Sequence, residues 1–505
     1  MAYCGYVTRL KNVRKHSNAD RLQLADCFGN TVIVSLEYTE GQLGVYFPVD
    51  GQLSERFCQA NDLVRRKDEN GNPCGGYLDP EKRNIKAMKL RGEKSDGLFL
   101  PLTCLADFTT VSDLKEGDTI TVLNGEEICK KYIPKRKASG EWHSGSKGRK
   151  TKVDFCPTFA QHVDTEQLAY NLSTFKTGDV VELTLKMHGT SGRTGYLPLL
   201  KGYKDSYGCW IGNAIAKISA RLRKQPDPAP RHDGEPIYEY GYVTGTRRVV
   251  LDNSHDGGYY DDNSFRLRMA EKFEGKLRKG ETVYYEIVGF VNEFTPIMAS
   301  VKNSKISDKA FSKQYGEETV FSYGCDPNGE WEEKQYCAAP DSLDFDATIP
   351  PRCQVYVYRM TMTNEDGDVI EYSPEQMRLR CDQMGVKYVP VFEKFMIPAT
   401  YETKKIANFH DACAYDDEDP GFESEVTVIH AVDPGEYVLR KVEQYFDGPD
   451  PIGKTHIREG VVARIVNRPT IAVYKHKNFS FKVLEGIAKD VADAPDMEEA
   501  QDVVE

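Results

Sequence analysis

The sequence predicts a multidomain protein: an all-β N-terminal module of small-barrel type followed by a larger α+β domain built on antiparallel sheets. Three observations carry that reading. The chain has 505 residues, enough for two to four domains and a large core. Residues 1 to about 125 alternate short β-like runs (NTVIVSLEY, QLGVYFPV, DGLFLPL, DTITVL) with Gly, Asn and Asp turns, the spacing of a small barrel or sandwich. From Val153 onward the pattern mixes. VVELTLK, PIYEYGYVT, TVYYEIVGFV and QVYVYRMTM are β-rich, whereas NAIAKISARLRK and SFRLRMAEKFEGKLRK have helical periodicity.

Composition narrows the class. Hydrophobic residues make up 40% and aromatics 11%, so burial can offset chain entropy and general disorder is excluded. With 66 Lys+Arg against 78 Asp+Glu the net charge is -12, so any polyanion site must be local. No apolar run is long enough to span a bilayer and the first residues lack a signal-peptide pattern, which predicts a soluble, intracellular, cytoplasmic protein without membrane contact. The 13 cysteines are scattered without a CxxC pair, and reduced core thiols are expected rather than structural zinc.

Between Lys130 and Lys152 nine Lys/Arg and one acid, Glu141, are interleaved with Ser and Gly. This reads as a solvated linker, or as a place where an acidic protein concentrates phosphate contacts. The expected boundaries are therefore a module at 1–129, a basic linker at 130–152, a second domain at 153–489 and an acidic tail at 490–505. EKQYCAAPDSLDFDATIPP reads as a surface insertion, and the acidic run from 415 as a loop. Two stretches sharpen the N-terminal reading. VRKHSNADRLQLADC at 13–27 and LRGEKSDGLFLPL at 90–102 resemble the tRNA-binding OB folds of tRNA synthetases and their accessory factors, with Leu98 where that pattern usually has Met.

GPDPIGKT, from Gly448 to Thr455, satisfies GxxxxGK[ST] letter for letter, but its context argues against a phosphate loop. A true one follows a buried strand and opens a helix. Here LRKVEQYF before it is helix-like and HIREGVVARIV after it is strand-like. Pro449 and Pro451 also remove two amide donors, so a surface turn is expected.

Lys186 leaves the alternating run VVELTLK into MHGTSGR. A lysine at a strand end beside a Gly turn is held firmly, and Gly189 lets backbone approach a ligand. An ordinary exposed strand-end lysine is the alternative. What distinguishes the two is the order of blocks downstream: GTRRVVL, VYYEIVGF, VYVYRM, REGVVARI and VYKHKNFSFKVLE. In this order the sequence resembles the covalent nucleotidyltransferases, the superfamily of ATP-dependent ligases and capping enzymes. KMHGTS is similar to the nucleophile motif of its RNA ligases, DNA ligases usually carrying Asp where His188 stands. YYEIVGF, REGVV and KHK are similar to the third, fourth and fifth motifs. With an N-terminal OB module ahead of the transferase domain, the chain is most similar to the Deinococcus- and Naegleria-type RNA ligases.

The resemblance implies an OB module followed by a nucleotidyltransferase domain with an ATP-grasp-like antiparallel sheet. It implies Lys186 as the nucleophile that takes AMP from ATP, Lys475 and Lys477 as cations at the phosphates, Glu286 and Glu459 as ligands of Mg²⁺ or Mn²⁺, and Gly189 at the nucleotide. Tyr358 would stack on adenine, with Tyr356 as the alternative, and Arg247 would grip a phosphate, with Arg248 as the alternative. The chemistry of the residues agrees. A lysine amine titrates near 10.4 and must lose its proton to attack phosphorus, which neighbouring cations favour. Glu286 and Glu459 lie in apolar β runs, where a carboxylate needs a cation or an ion-pair partner. His188 is expected to position the turn or sense the phosphate end rather than act as a general base. The implied substrates are ATP and RNA ends, with a nicked duplex as one form. An mRNA guanylyltransferase using the same lysine with GTP, or a noncatalytic tRNA-binding factor, are the rival readings.

Overall fold

The computed structural model describes residues 3–491 except 50, 68–72, 133–155, 164, 224, 227, 248–249, 252–263, 307, 330–350, 410–421 and 486–487. Most of the expected basic linker, the surface insertion, the acidic loop and the tail beyond 491 thus lie outside the described residues, as does Arg248. The molecule is a mixed α/β assembly of sheets. No helix among the described residues is long and apolar enough to cross a membrane, and none of the described cysteines forms a disulfide.

The N-terminal part, residues 3–132, is among the described residues all β apart from one six-residue helix, Glu55–Ala60, and short 3₁₀ turns. One sheet orders Leu98–Pro101, Leu43–Phe47, Gly5–Arg9 and Thr119–Ile120; another orders Lys11–Lys15, Leu22–Cys27 and Asn30–Ser35. Alternation sends Val7, Val45, Phe47 and Leu98 into one core. His16 and Ser95, from the two tRNA-binding-like stretches, are buried: His16 Nδ1 accepts from the Asn18 N–H (3.0 Å) and Ser95 Oγ from the Ile33 N–H (3.1 Å). Those residues act structurally here.

The remainder is built around two larger sheets that line one cleft, with helices and two two-stranded ribbons, Val301–Lys302 with Glu318–Thr319 and Thr400–Phe409 with Phe422–Ala431, beside them. A five-stranded sheet orders Glu166–Gln167, Ala472–Lys477, Gly460–Ile465, Val180–Lys186 and Val391–Met396. The larger sheet runs through Val250–Leu251, Pro236–Gly245, Thr190–Tyr203, Glu281–Asn292, Cys353–Thr363 and Val369–Glu371. Strand Val180–Lys186 belongs to the first sheet and Thr190–Tyr203 to the second, so the four residues from Lys186 to Gly189 bridge them.

Three expectations are modified. SFRLRMAEKFEGKLRK is helical only over Ser264–Glu271, and Gly275 at φ +73° follows in a turn. The domain boundary at 489 is crossed, because strand Ala488–Val491 pairs in parallel with Ala87–Leu90 of the N-terminal part. The opening of the linker is ordered too, since Cys129–Lys131 pairs with Gly51–Leu53. GPDPIGKT follows helix Pro434–Glu443 and precedes strand Gly460–Ile465, the reverse of a phosphate-loop order. Its own buried Asp450 accepts from the Ile452 N–H (2.8 Å) and the Gly453 N–H (3.2 and 3.1 Å), so those amides are already used.

Candidate active site

Strand Val180–Lys186 alternates as its sequence demands. Val181, Leu183 and Leu185 enter the core, while Glu182, Thr184 and Lys186 face a cleft of about 590 Å³ between the two sheets. Lys186 lies beside Gly460 in the register of the neighbouring strand, with Lys477 one strand further on. That register delivers three sequence-distant groups to one point. Lys186 Nζ is 2.7 Å from Glu459 Oε1, and Lys477 Nζ is 3.1 Å from the same oxygen.

Glu459 is 2% exposed. Burial alone would raise its carboxyl, but the ammonium groups of Lys186 and Lys477 outweigh it and hold the group down to about 2. The same two ammonium groups that favour its anionic form are its ion-pair partners. Its second oxygen, Oε2, is buried without a hydrogen-bond partner. Lys477 is also 2.7 Å from Glu485 Oε2; burial pulls its ammonium down, and Glu459 and Glu485 together raise it above the ordinary value. Donor atoms of His188, Glu459 and Glu485 gather within 4.8 Å of one another, and Lys477 lies between the two carboxylates.

The turn after Lys186 is pinned by Glu286. The Gly189 N–H donates to Glu286 Oε1 (3.1 Å) and Ser191 Oγ to Oε2 (3.2 Å). A Cβ at position 189 would lie 2.3 Å from the Ile287 carbonyl oxygen, so only glycine permits this approach. Burial, with Glu459 adding, raises the Glu286 carboxyl to about 7 against the pull of Lys186. The His188 N–H donates to Tyr323 Oη (2.8 Å), and the His188 ring lies edge-on to Phe321 and Phe481. Burial holds that imidazole down to about 4, with Lys186 and Lys477 acting the same way against Glu459. Its N–H bond to Tyr323 and its ring contacts hold it at the turn that follows Lys186.

Lys475 lines the cleft and has no carboxylate within ion-pair distance among the described residues. Burial, then Lys186, Lys477 and Arg247, lower its ammonium to about 8. Arg247 lines the same cleft. Tyr358 also lines it, whereas Tyr356 is 4% exposed in the core beneath. The ladder accounts for the difference: Tyr284 pairs with Arg359 and Tyr285 with Val357, so Tyr358 is the extra residue of a bulge and is re-aimed into the cleft. Its hydroxyl is 3.2 Å from His162 Nδ1.

Lys186, Gly189, Arg247, Glu286, Tyr358, Glu459 and Lys475 thus meet in one cleft, with Lys477 bonded to Glu459 at its edge. Sequence reasoning did not find Glu485, Tyr323, Phe481, Ser191 or His162. Of these, Ser191, Phe481 and Glu485 lie within the quoted blocks around Lys186 and Lys475, whereas Tyr323 and His162 lie outside them.

No protein-family model and no curated protein matches the chain. Among solved structures, an RNA ligase variant of Naegleria gruberi with ATP and Mn is 15% identical, with a TM-score of 0.49 over 95% of this chain and 98% of that one. A variant with AMP and Mn is 14% identical (TM-score 0.48, 95% and 98%), and the same ligase with PPi is 14% identical (TM-score 0.47, 95% and 97%).

Proposed function

We propose that the protein is an ATP-dependent RNA ligase that joins a 3′-hydroxyl to a 5′-phosphate in RNA repair. The observation that carries this is the lysine at the sheet-to-sheet bridge. Its amine is oriented at 2.7 Å by a buried carboxylate and is flanked by Lys475, Lys477 and Arg247, under an aromatic ring re-aimed by a bulge. That set suits attack on the α-phosphate of a nucleotide whose base lies on Tyr358. Lys186 Nζ forms the bond to phosphorus and the bond to the β-phosphate oxygen breaks, releasing pyrophosphate. AMP then passes to an RNA 5′-phosphate, and a 3′-hydroxyl displaces it. Each step is an in-line displacement served by positioning and charge neutralisation.

The residues suit a hard divalent cation. The unpartnered buried Oε2 of Glu459 and the Glu286 carboxyl, costly to ionise alone, are the donors we assign to Mg²⁺ or Mn²⁺. Bound there, the cation would favour the free amine of Lys186 and offset charge on the phosphates. The N-terminal part, an OB-type module in this reading, would contact RNA, and the two larger sheets would form the nucleotidyltransferase domain. Incubation with ATP or GTP labelled at the α-phosphate tests the reading. Covalent AMP on Lys186 is expected; GMP instead would indicate a capping enzyme, and no label a binding factor.

A further inference from the structure

The strand that carries Lys475 and Lys477 does not end at the active site. It continues through Asn478 into helix Phe479–Leu484, and one side of that helix faces the site. Phe481 is fully buried with its ring 4.8 Å from His188, and Glu485, the next residue after the helix, holds Lys477 at 2.7 Å. The other side meets the N-terminal part. Lys482 Nζ is 3.1 Å from Asp96 Oδ1, and Lys94 Nζ lies 4.9 Å over the ring of Phe479.

Asp96 suits the task of an anchor. Its N–H donates to the Thr31 carbonyl (2.8 Å), and its own carbonyl accepts from the hydroxyl of fully buried Tyr46. The preceding Ser95 is buried and tied to Ile33. The ion pair is only 18% and 15% exposed, so it is partly shielded from solvent. Asp96 also lines a second cleft, of about 520 Å³, that shares Arg247 and Lys475 with the first and is bordered by Lys477 and Lys482.

We propose that Asp96 is a positioning residue for lysine adenylylation: through Lys482 it fixes helix Phe479–Leu484, and so holds Glu485 against Lys477 beside the nucleophile. This rests on the ligase reading of the site. The N-terminal part then contributes to the first chemical step without touching the nucleotide. A six-residue helix, here following strand Ala472–Lys477 through the single residue Asn478, has little stiffness of its own and depends on its packing contacts. Without its anchor Glu485 and Phe481 sample more positions, and a small misplacement of a charge at the reacting centre lowers rate more than ground-state binding.

The test is single-turnover AMP transfer to the full-length chain, with ATP varied and unfolding followed in parallel. Asp96→Ala and Lys482→Ala should each slow the maximal rate about tenfold while the half-saturating ATP concentration stays within about twofold. The double Ala variant should be no slower than either single one, because both break the same link. Exchanging the two charges, Asp96→Lys with Lys482→Asp, should restore most of the rate. A wild-type rate in Asp96→Ala overturns the proposal, as do single losses that multiply in the double variant or a loss confined to ATP binding. If Asp96→Ala does not fold, Asp96→Asn provides the same comparison. Wild-type protein that takes no AMP would defeat the ligase reading itself, whereas labelled wild type with unaffected variants defeats only the role of Asp96.

Discussion

Glu286 should make the unliganded protein lose stability as pH rises through neutrality. Burial is the largest cause of its raised carboxyl, Glu459 adds to it, and Lys186, Ser191 and the Gly189 N–H oppose it, leaving the group at about 7 against an ordinary 4.5. The sign follows from proton counting. Below 4.5 the folded and unfolded chains both hold the proton, and between 4.5 and about 7 only the folded chain does, so stability falls as pH rises across that window. At roughly 1.4 kcal/mol per pH unit, the cost in place above pH 7 is about 3 kcal/mol. Glu286→Gln keeps an oxygen for the Gly189 N–H and removes the titration. Melting temperatures of the two proteins between pH 5 and 7.5 should therefore diverge, with wild type falling several degrees relative to the variant. Glu459, at about 2, acts only below 4.5, while His188 and His476, held down to about 4 from an ordinary 6.5, act in the opposite sense below pH 6.5 but are common to both proteins and drop out of the difference. Mn²⁺ added at the alkaline end should narrow the gap, because a cation binds the ionised carboxylate and so favours the folded chain. Parallel melting curves without metal would refute the reasoning, since the raised carboxyl is its only source.

Lys186→Ala should take up no AMP yet still seal RNA already carrying AMP on its 5′ end, because the last step does not use the amine; adenylylation of the variant, read by gel label, would remove Lys186 from its role. Tyr358→Phe should bind ATP within about twofold of wild type, whereas Tyr358→Ala should lose about 5- to 150-fold, the equivalent of roughly 1–3 kcal/mol of base stacking; equal affinities in titration calorimetry would return Tyr358 to the core. Lys454→Gly, which preserves the positive φ of +57° at that residue, should leave self-labelling at the wild-type level; abolished labelling would mean that GPDPIGKT holds phosphate after all.

What was legible in the sequence was the part governed by local alternation and ordered motifs. VVELTLK places Lys186 on the cleft face because strand periodicity leaves it no alternative, and REGVV places Glu459 in an apolar run where two ammonium groups satisfy it; the Glu286 carboxyl of EIVGF instead accepts from the Gly189 N–H and the Ser191 hydroxyl. Periodicity failed where the backbone departs from it. Strict alternation gives Tyr356 and Tyr358 one face, but the bulge opposite Tyr284 and Tyr285 sends one into the core and the other into the cleft. Glu485 and Tyr323 escaped notice for a different reason: Glu485 closes the block VYKHKNFSFKVLE, but it and Tyr323 acquire their contacts from partners 8 and 135 residues away, Lys477 and His188.

The same limit applies to the division of labour between the two parts. Read along the chain, all the chemistry falls after Val153 and the N-terminal module is a separable RNA-binding part, which would make its removal a test of RNA contact. The packing argues otherwise. Tyr170 stacks on Tyr6 with ring centres 5.1 Å apart, and the last described strand lies alongside Ala87–Leu90. Gly29 sits so close to Leu439 that a Cβ there would lie 2.3 Å from its side chain. Deleting the module would strip these contacts together with Asp96, so AMP transfer would fall along with sealing and the two roles could not be separated. Substitutions of exposed lysines and arginines such as Arg65, Arg66 and Lys67, which form an exposed strand of the module, leave that packing intact. If the module contacts RNA there, they should lower affinity and flatten its salt dependence while AMP transfer is unchanged. If the module serves only as a support for the catalytic strand, RNA binding will not respond to them.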